Sequence, residues 1–225
     1  MNRERVDWNA VDTVLLDMDG TLLDRHFDDF FWERHVPEQY ARKHGIPVEA
    51  ARRELLARYR REEGRLTWTD LDFWSRELGL DIPALKAQVE HLIQVHPYVP
   101  DFLAFVRRKG KGLYLVTNAH SKTLDLKMRK TRLGPVFDGI LSAHELGWPK
   151  EDPRFWHALR VRLGFDPART LLAEDSEDNL RAARTAGIRH LIYVAKPSTA
   201  RPAAPSAEFP SIVYFKELLP EEAEP

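Results

Sequence analysis

Residues 11–24 read VDTVLLDMDGTLLD. Val11 to Leu16 is a short apolar run rich in β-branched residues, and Asp-Met-Asp-Gly stops it. That pattern predicts a buried strand ending in a turn. From Asp24 to about His96 the character changes. DDFFWERHVPEQYARKHG, VEAARRELLARYRREEG and TDLDFWSRELG each carry apolar residues at helical spacing and end in glycine. A fourth helix is expected from Pro83 to about Val95. This block is all helix.

Beyond HPYVP the chain alternates. GLYLVTN, FDGILSA, RTLLAE and HLIYVA read as strands. DFLAFVRRKG, SKTLDLKMRKTRLG, DPRFWHALRVRLG and SEDNLRAARTAG read as helices. Strand–helix alternation implies a parallel sheet with helices on both faces. The expected class is therefore α/β: a Rossmann-like core formed by residues 1–23 and 97–225, with an all-helical cap, residues 24–96, inserted after the first strand. The stretch KPSTARPAAPSAEFP, 196–210, is rich in Pro, Ala and Ser and reads as a surface excursion, with SIVYFKELL returning to pack on the body.

Composition narrows the function classes. The chain has 225 residues, 43% hydrophobic and 31% charged, with a net charge of −1. That is ordinary for a soluble globular protein. No basic surplus marks a nucleic-acid binder. The absence of cysteine excludes disulfides, thiolate nucleophiles and zinc–cysteine sites. The polar start MNRERVDWNAVD lacks a signal segment, and no apolar run approaches the roughly 20 residues that span a bilayer. A cytoplasmic protein without a membrane partner is expected.

In open α/β sheets, ligands bind at the carboxyl ends of the strands. Asp17, Asp19 and Gly20 follow the first strand. Thr117 and Asn118 follow the second. Lys150 lies in the loop after the third, and Glu174 and Asp175 end the fourth. A strand followed by an Asp-Gly turn would account for the first group, strand-end capping for Thr117, and a solvated surface lysine for Lys150. Their co-occurrence is the signal. Paired carboxylates at two strand ends repel, and a divalent cation removes the repulsion. Hard oxygen ligands without cysteine favour Mg²⁺. Thr117, the amide of Asn118 and Lys150 suit the oxygens of a phosphoryl group.

In LLAEDSEDNL, residues 171–180, the acids divide. Glu174 and Asp175 belong with the strand end, whereas Glu177 and Asp178 suit the first turn of the next helix. The spacing is not that of a calcium loop.

In this order, DMDGT, TN, PK and EDSEDN resemble the four motifs of the haloacid dehalogenase-like hydrolase superfamily, and residues 24–96 stand where its C1-type cap lies. FDDFFWERHVPE, LDFWSRELGLDI, GWPKEDPRFWHAL and RTLLAEDSEDNLRAARTAGIRH are more specifically similar to bacterial GMP/IMP 5′-nucleotidases. The resemblance implies a Mg²⁺-dependent phosphomonoesterase acting on a small phosphorylated metabolite, a purine nucleoside monophosphate. Asp17 would be the nucleophile and form an aspartyl-phosphate. Asp19 would be the general acid and base. Thr117, Asn118 and Lys150 would hold phosphate. Asp17, the carbonyl of Asp19 and Asp175 would hold the metal. Glu174 departs from the Asp-Asp form of the fourth motif and would act through a metal-bound water. Asn179 would orient the loop.

Within the cap, Phe27 and Phe31 are the candidates to line a purine pocket. Arg25 and His26, in the hinge, are candidates to reach phosphate or ribose. Two other readings compete: a sugar-phosphate phosphatase or phosphomutase on the same scaffold, and a non-enzymatic metal-binding module.

Overall fold

The computed structural model describes residues 6–220. Six strands form one wholly parallel sheet in the order β3-β2-β1-β4-β5-β6. They are β1 (Thr13–Leu16), β2 (Gly112–Thr117), β3 (Gly139–Ser142), β4 (Thr170–Glu174), β5 (His190–Val194) and β6 (Ser211–Ile212). β1 and β4 are buried throughout, which is why both read as unbroken apolar runs. One core cluster joins one sheet face to the helical block, and a second, around Phe155 and Trp156, covers the other face. The α/β class with helices on both faces and a helical insert after the first strand is as the sequence implies.

Between β1 and β2 lie α1 (His26–Phe30), α2 (Val36–His44), α3 (Val48–Glu62), α4 (Leu71–Leu78), α5 (Ile82–Gln88) and α6 (Val99–Arg108). After β2 follow α7 (Ser121–Thr131), α8 (Ala143–Leu146), α9 (Pro153–Leu163) and α10 (Glu177–Thr185). α1 and α2 are one rod broken by a π-helical turn, Phe31–His35. Gly45 and Gly79 end α2 and α4 in the left-handed conformation, as their positions predict. Asp70 and Asp81 cap α4 and α5 through their side chains. The short helix α8, held by the Ser142–Glu145 capping box, is not apparent in the strand reading of FDGILSA.

Two expectations need correction. The fourth helix does not reach Val95. It stops at Gln88, followed by a 3-10 turn, because Val95 is needed in extended form to bridge Leu23. There the chain leaves and re-enters the sheet domain as a paired ribbon. Asp24 N donates to Gln94 O at 2.9 Å and His96 N to Leu22 O at 2.9 Å.

The stretch 196–210 is not merely a surface excursion. Ser198 is fully buried. Arg25 N donates to Pro197 O at 2.9 Å, and the His96 ring lies 3.2 Å from the same oxygen. Thr199 donates to Asp24 from its amide (3.1 Å) and from its hydroxyl. Residues 197–199 thus strap the ribbon. A proline- and serine-rich composition signals irregular backbone but not what that backbone touches.

Asp24 also accepts from His26 N at 2.9 Å. Burial raises its pKa, but the Thr199 hydroxyl and the two amides outweigh burial and hold it below the ordinary value. Asp24→Ala is expected to cost about 2–3 kcal/mol at neutral pH by chemical denaturation. A carboxylate with a lowered folded pKa contributes its stability above its unfolded pKa. The gap between wild type and variant should therefore narrow as pH falls below about 4 and through the lowered folded pKa. A gap that does not narrow on acidification would count against the ionic origin.

Candidate active site

Parallel register brings the acids together. Leu16 pairs with Ala173 across β1 and β4, so Asp17 and Glu174 emerge side by side, and Asp17 N donates to Ala173 O at 3.1 Å. Gly20 turns the chain with φ +90°, and a Cβ there would fall 2.3 Å from Asp175 Oδ2. Only glycine lets this backbone pass so close to the carboxylate. Lys150 enters from the loop before α9. Its ammonium is 1% exposed and donates to Asp17 Oδ1 and Glu174 Oε2, each at 2.5 Å, and to Val116 O at 3.2 Å. The loop itself is fastened by Lys150 N to Asn118 Oδ1 (2.9 Å) and by Trp156 Nε1 to Lys150 O (2.7 Å).

Burial dominates the electrostatics. Desolvation, then the neighbouring Glu174, pushes the Asp17 carboxyl up to about 7 despite Lys150. Desolvation raises Glu174 to about 7 and Asp175 to about 6. Lys150 is held above its ordinary value, because Asp17 and Glu174 overcome its own burial.

Oxygens of Asp17, Glu174 and Asp175 lie within 4.8 Å of one another. An all-carboxylate, buried donor set short of positive charge fits Mg²⁺. Glu174 is thus among the converging carboxylates, level with Asp175, although it also anchors the loop by accepting from the amides of Asp175 (3.1 Å) and Ser176 (3.2 Å). The Asp19 carboxylate points elsewhere, to Lys127 at 2.5 Å. Asn179 is buried beside Glu174, with its Oδ1 unpartnered.

Thr117 accepts from Ala119 N at 3.0 Å, which leaves its hydroxyl proton to donate. Asn118 is the loop's tie: besides Lys150 N, it holds Glu151 at 3.0 Å, and its carbonyl accepts from Thr69 of the helical block at 2.6 Å. Arg25 reaches Asp175 at 2.8 Å.

These groups line one cavity of about 540 Å³ between sheet and helical block. The helical block contributes four aromatic side chains to its lining, Trp32, Tyr59, Trp68 and Trp74, together with charged ones that include Asp29, Arg60 and Glu63. The pocket candidates Phe27, Phe31 and His26 do not line it. Phe27 and Phe31 are buried beneath it, where they face lysine ammoniums: Lys86 lies 5.4 Å from the Phe27 ring and 5.1 Å from the Phe31 ring. His26 lies against Phe30, its ring centroid 6.4 Å away. Helical spacing identifies a shared face correctly, but it does not say whether that face meets the core or the cavity.

Three charged residues escape the sequence reading: Asp28, Lys86 and Lys127. Both lysines sit on the apolar stripe of their helices, Lys86 four residues after Ile82 and Lys127 three after Leu124. A charge interrupting such a stripe is the signal that would have found them.

Residues 11–187 match the family model for haloacid dehalogenase-like hydrolases. The chain belongs to that family. It is 39% identical over 215 residues to the GMP/IMP nucleotidase YrfG of Escherichia coli (strain K12), covering 96% of this chain and 97% of that one. It is 26% identical over 192 residues to the phosphorylated carbohydrates phosphatase of Thermotoga maritima, covering 82% and 85%. The crystal structure of a HAD phosphatase from Thermococcus onnurineus superposes with a TM-score of 0.80 at 24% identity, covering 92% of this chain and 96% of that one. No helix among the described residues is long and apolar enough to cross a membrane.

The raised carboxyls have a measurable consequence. Between their ordinary values of 3.8 to 4.5 and their folded values of about 6 to 7, the folded state binds more protons than the unfolded chain, so they favour folding less as pH rises. Mg²⁺ competes with those protons. The rise in Tm on adding Mg²⁺ to protein in EDTA should therefore be small at about pH 5 and larger at about pH 8. A pH-independent or absent shift would contradict a metal held by these three residues.

Proposed function

We propose that this phosphoric monoester hydrolase takes purine nucleoside 5′-monophosphates, GMP and IMP, through an aspartyl-phosphate on Asp17. The observation that carries the reading is the cavity's two-sided chemistry. Its floor holds a nucleophile, a lysine and converging carboxylates. Its lining from the helical block brings four aromatic side chains, Trp32, Tyr59, Trp68 and Trp74, to the same cavity, among charged groups such as Arg60 and Glu63. A sugar offers edges to hydrogen-bond, whereas a purine offers a flat face to stack. The GMP/IMP nucleotidase relative, matched along almost its whole length, supports the same substrate.

In this reading the helical block from residue 24 to 96 is the cap, hinged at the paired ribbon. Lys150 and Thr117 hold the phosphoryl oxygens. The Asp17 oxygen left free by Lys150 attacks phosphorus in line. The P–O5′ bond breaks, and Asp19 gives its proton to O5′. Asp19 then takes a proton from the water that attacks phosphorus, and Asp17 is released with inorganic phosphate. Mg²⁺, when held by Asp17, Asp175 and the Asp19 carbonyl, with Glu174 alongside, would supply charge neutralisation of the phosphate. The cap excludes bulk water from the acyl phosphate.

A panel of phosphate esters tests the substrate. GMP and IMP should give the highest kcat/KM, ahead of AMP and hexose phosphates; preference for a sugar phosphate would sink the nucleotide assignment in favour of the carbohydrate alternative. Asp17→Asn should lose on the order of 10³-fold or more in kcat on every ester. Trp68→Ala should raise KM for GMP about 3- to 10-fold and leave p-nitrophenyl phosphate nearly unchanged.

A further inference from the structure

Beside the nucleophile lies a second buried charge cluster, of which the mechanism above uses Asp19 alone. Lys127, on α7 of the sheet domain, is 1% exposed. Its ammonium donates to Asp19 Oδ1 and to Asp28 Oδ2, each at 2.5 Å. Asp28 belongs to α1, four residues beyond Asp24 of the ribbon. Its other oxygen accepts from Lys86 of α5 at 2.9 Å. Lys86 is 3% exposed and sits over the rings of Phe27, Phe31 and Trp32 at 5.1–5.5 Å. Two lysines and two carboxylates therefore form a chain of three ion pairs that runs from the cap helices through the core helix α7 to Asp19.

A buried ion pair is a poor source of stability, because desolvation offsets most of the attraction. Four such groups in one chain call for another reason, and the geometry supplies one. Lys127 grips one oxygen of Asp19. The other oxygen, Oδ2, accepts no hydrogen bond from the described residues, and Asp19 borders the cavity. A carboxyl held by one oxygen, with the other unbonded at the border of the cavity, is fixed for proton transfer. The fixed ammonium also faces the negative charge that Asp19 acquires when it gives up its proton. Asp28 divides the same ammonium, and Asp28 moves with the cap.

We propose that Lys127 is a positioning residue for the acid–base carboxylate of Asp19, and that Asp28, braced by Lys86, ties that position to the seating of the cap on the core. The inference rests on the reading of Asp19 as the proton donor. In the first step the proton passes from Asp19 Oδ2 to O5′ as the P–O5′ bond breaks. In the second a water proton returns to Asp19. Lys127 keeps its own protons throughout, consistent with the raised pKa that Asp19 and Asp28 give it against the effect of burial.

The test compares two leaving groups in the same preparations. The nucleoside 5′-alkoxide leaves only with a proton, whereas p-nitrophenolate leaves as a stable anion. The ratio of kcat values on GMP and p-nitrophenyl phosphate is independent of how much of a variant is folded, so partial misfolding does not obscure it. Lys127→Met and Asp19→Asn should each lower that ratio by about 10²-fold. Lys127→Arg should restore much of it, and Asp28→Asn should lower it by about 3- to 10-fold. The double variant Asp19→Asn, Lys127→Met should show no further fall beyond Asp19→Asn. If Asp19→Asn lowers the ratio and Lys127→Met leaves it unchanged, or if the two losses multiply, Lys127 is structural and the inference is overturned. If Asp19→Asn itself leaves the ratio unchanged, the assignment of Asp19 as the acid falls, and this inference with it. If wild type does not cleave GMP, the substrate reading has failed; the preferred alkyl ester of the panel then replaces GMP, and the same ratios decide the role of Lys127.

Discussion

Like charges on neighbouring strand ends are the constraint from which the rest of this structure follows. β1 and β4 are adjacent, parallel and in register at the centre of the sheet, so Asp17 and Asp19 follow one strand's carboxyl end beside Glu174 and Asp175 at the other's. Left alone, four carboxylates in a water-poor crevice would oppose folding. Three cations answer them, each from a different part of the chain: Lys150 from a loop on one side of the sheet, Arg25 from the hinge, Lys127 from α7. Loop, hinge and helix are therefore positioned by the same electrostatic demand. All four acids still stand above their ordinary pKa values, because burial outweighs what these cations return, and a metal ion would relieve the remaining charge.

The strand–helix core was legible because parallel strands buried on both faces must be continuous apolar runs, and because functional groups in such sheets gather where the strands end. Asp17, Thr117, Lys150 and Asp175 could be picked out on those grounds before any coordinates. What was not legible depends on contacts between distant segments. Phe27 and Phe31 share a helical face with no local mark telling core from cavity. Lys86 and Lys127 betray their burial by interrupting an apolar stripe, but the identity of their partners is hidden, since a counter-charge on another helix leaves no trace in a side chain's own neighbourhood. Local propensity carries the fourth helix to about Val95, and the pairing of Val95 with Leu23 overrides it. The role of 197–199 was hidden because its value lies in backbone carbonyls and amides, which every residue possesses.

The aromatic wall illustrates a related point. Tyr59 meets Trp32, Trp68 and Trp74 in edge-on arrangements at 5.4, 6.1 and 5.0 Å. The rings come from α1's continuation, from α3, from the turn before α4 and from α4 itself. Packing each against the edge of the next fixes their planes relative to one another, so the cap offers a rigid surface instead of a set of independent side chains. That rigidity lowers the entropic cost of holding a flat ligand.

The strap across the hinge bears on the order in which a nascent chain can assemble. β1 emerges first yet lies at the centre of the sheet, and its partners begin only at residues 112 and 170. The cap's helices have mainly local contacts and can collapse early, whereas the sheet must wait for strands far along the polypeptide. The ribbon at 22–24 and 94–96 receives its last hydrogen bonds from Pro197 and Thr199. During synthesis, then, the ribbon that joins the two regions is completed only after both have been made, and a border of the candidate site is among the last parts to be tied down.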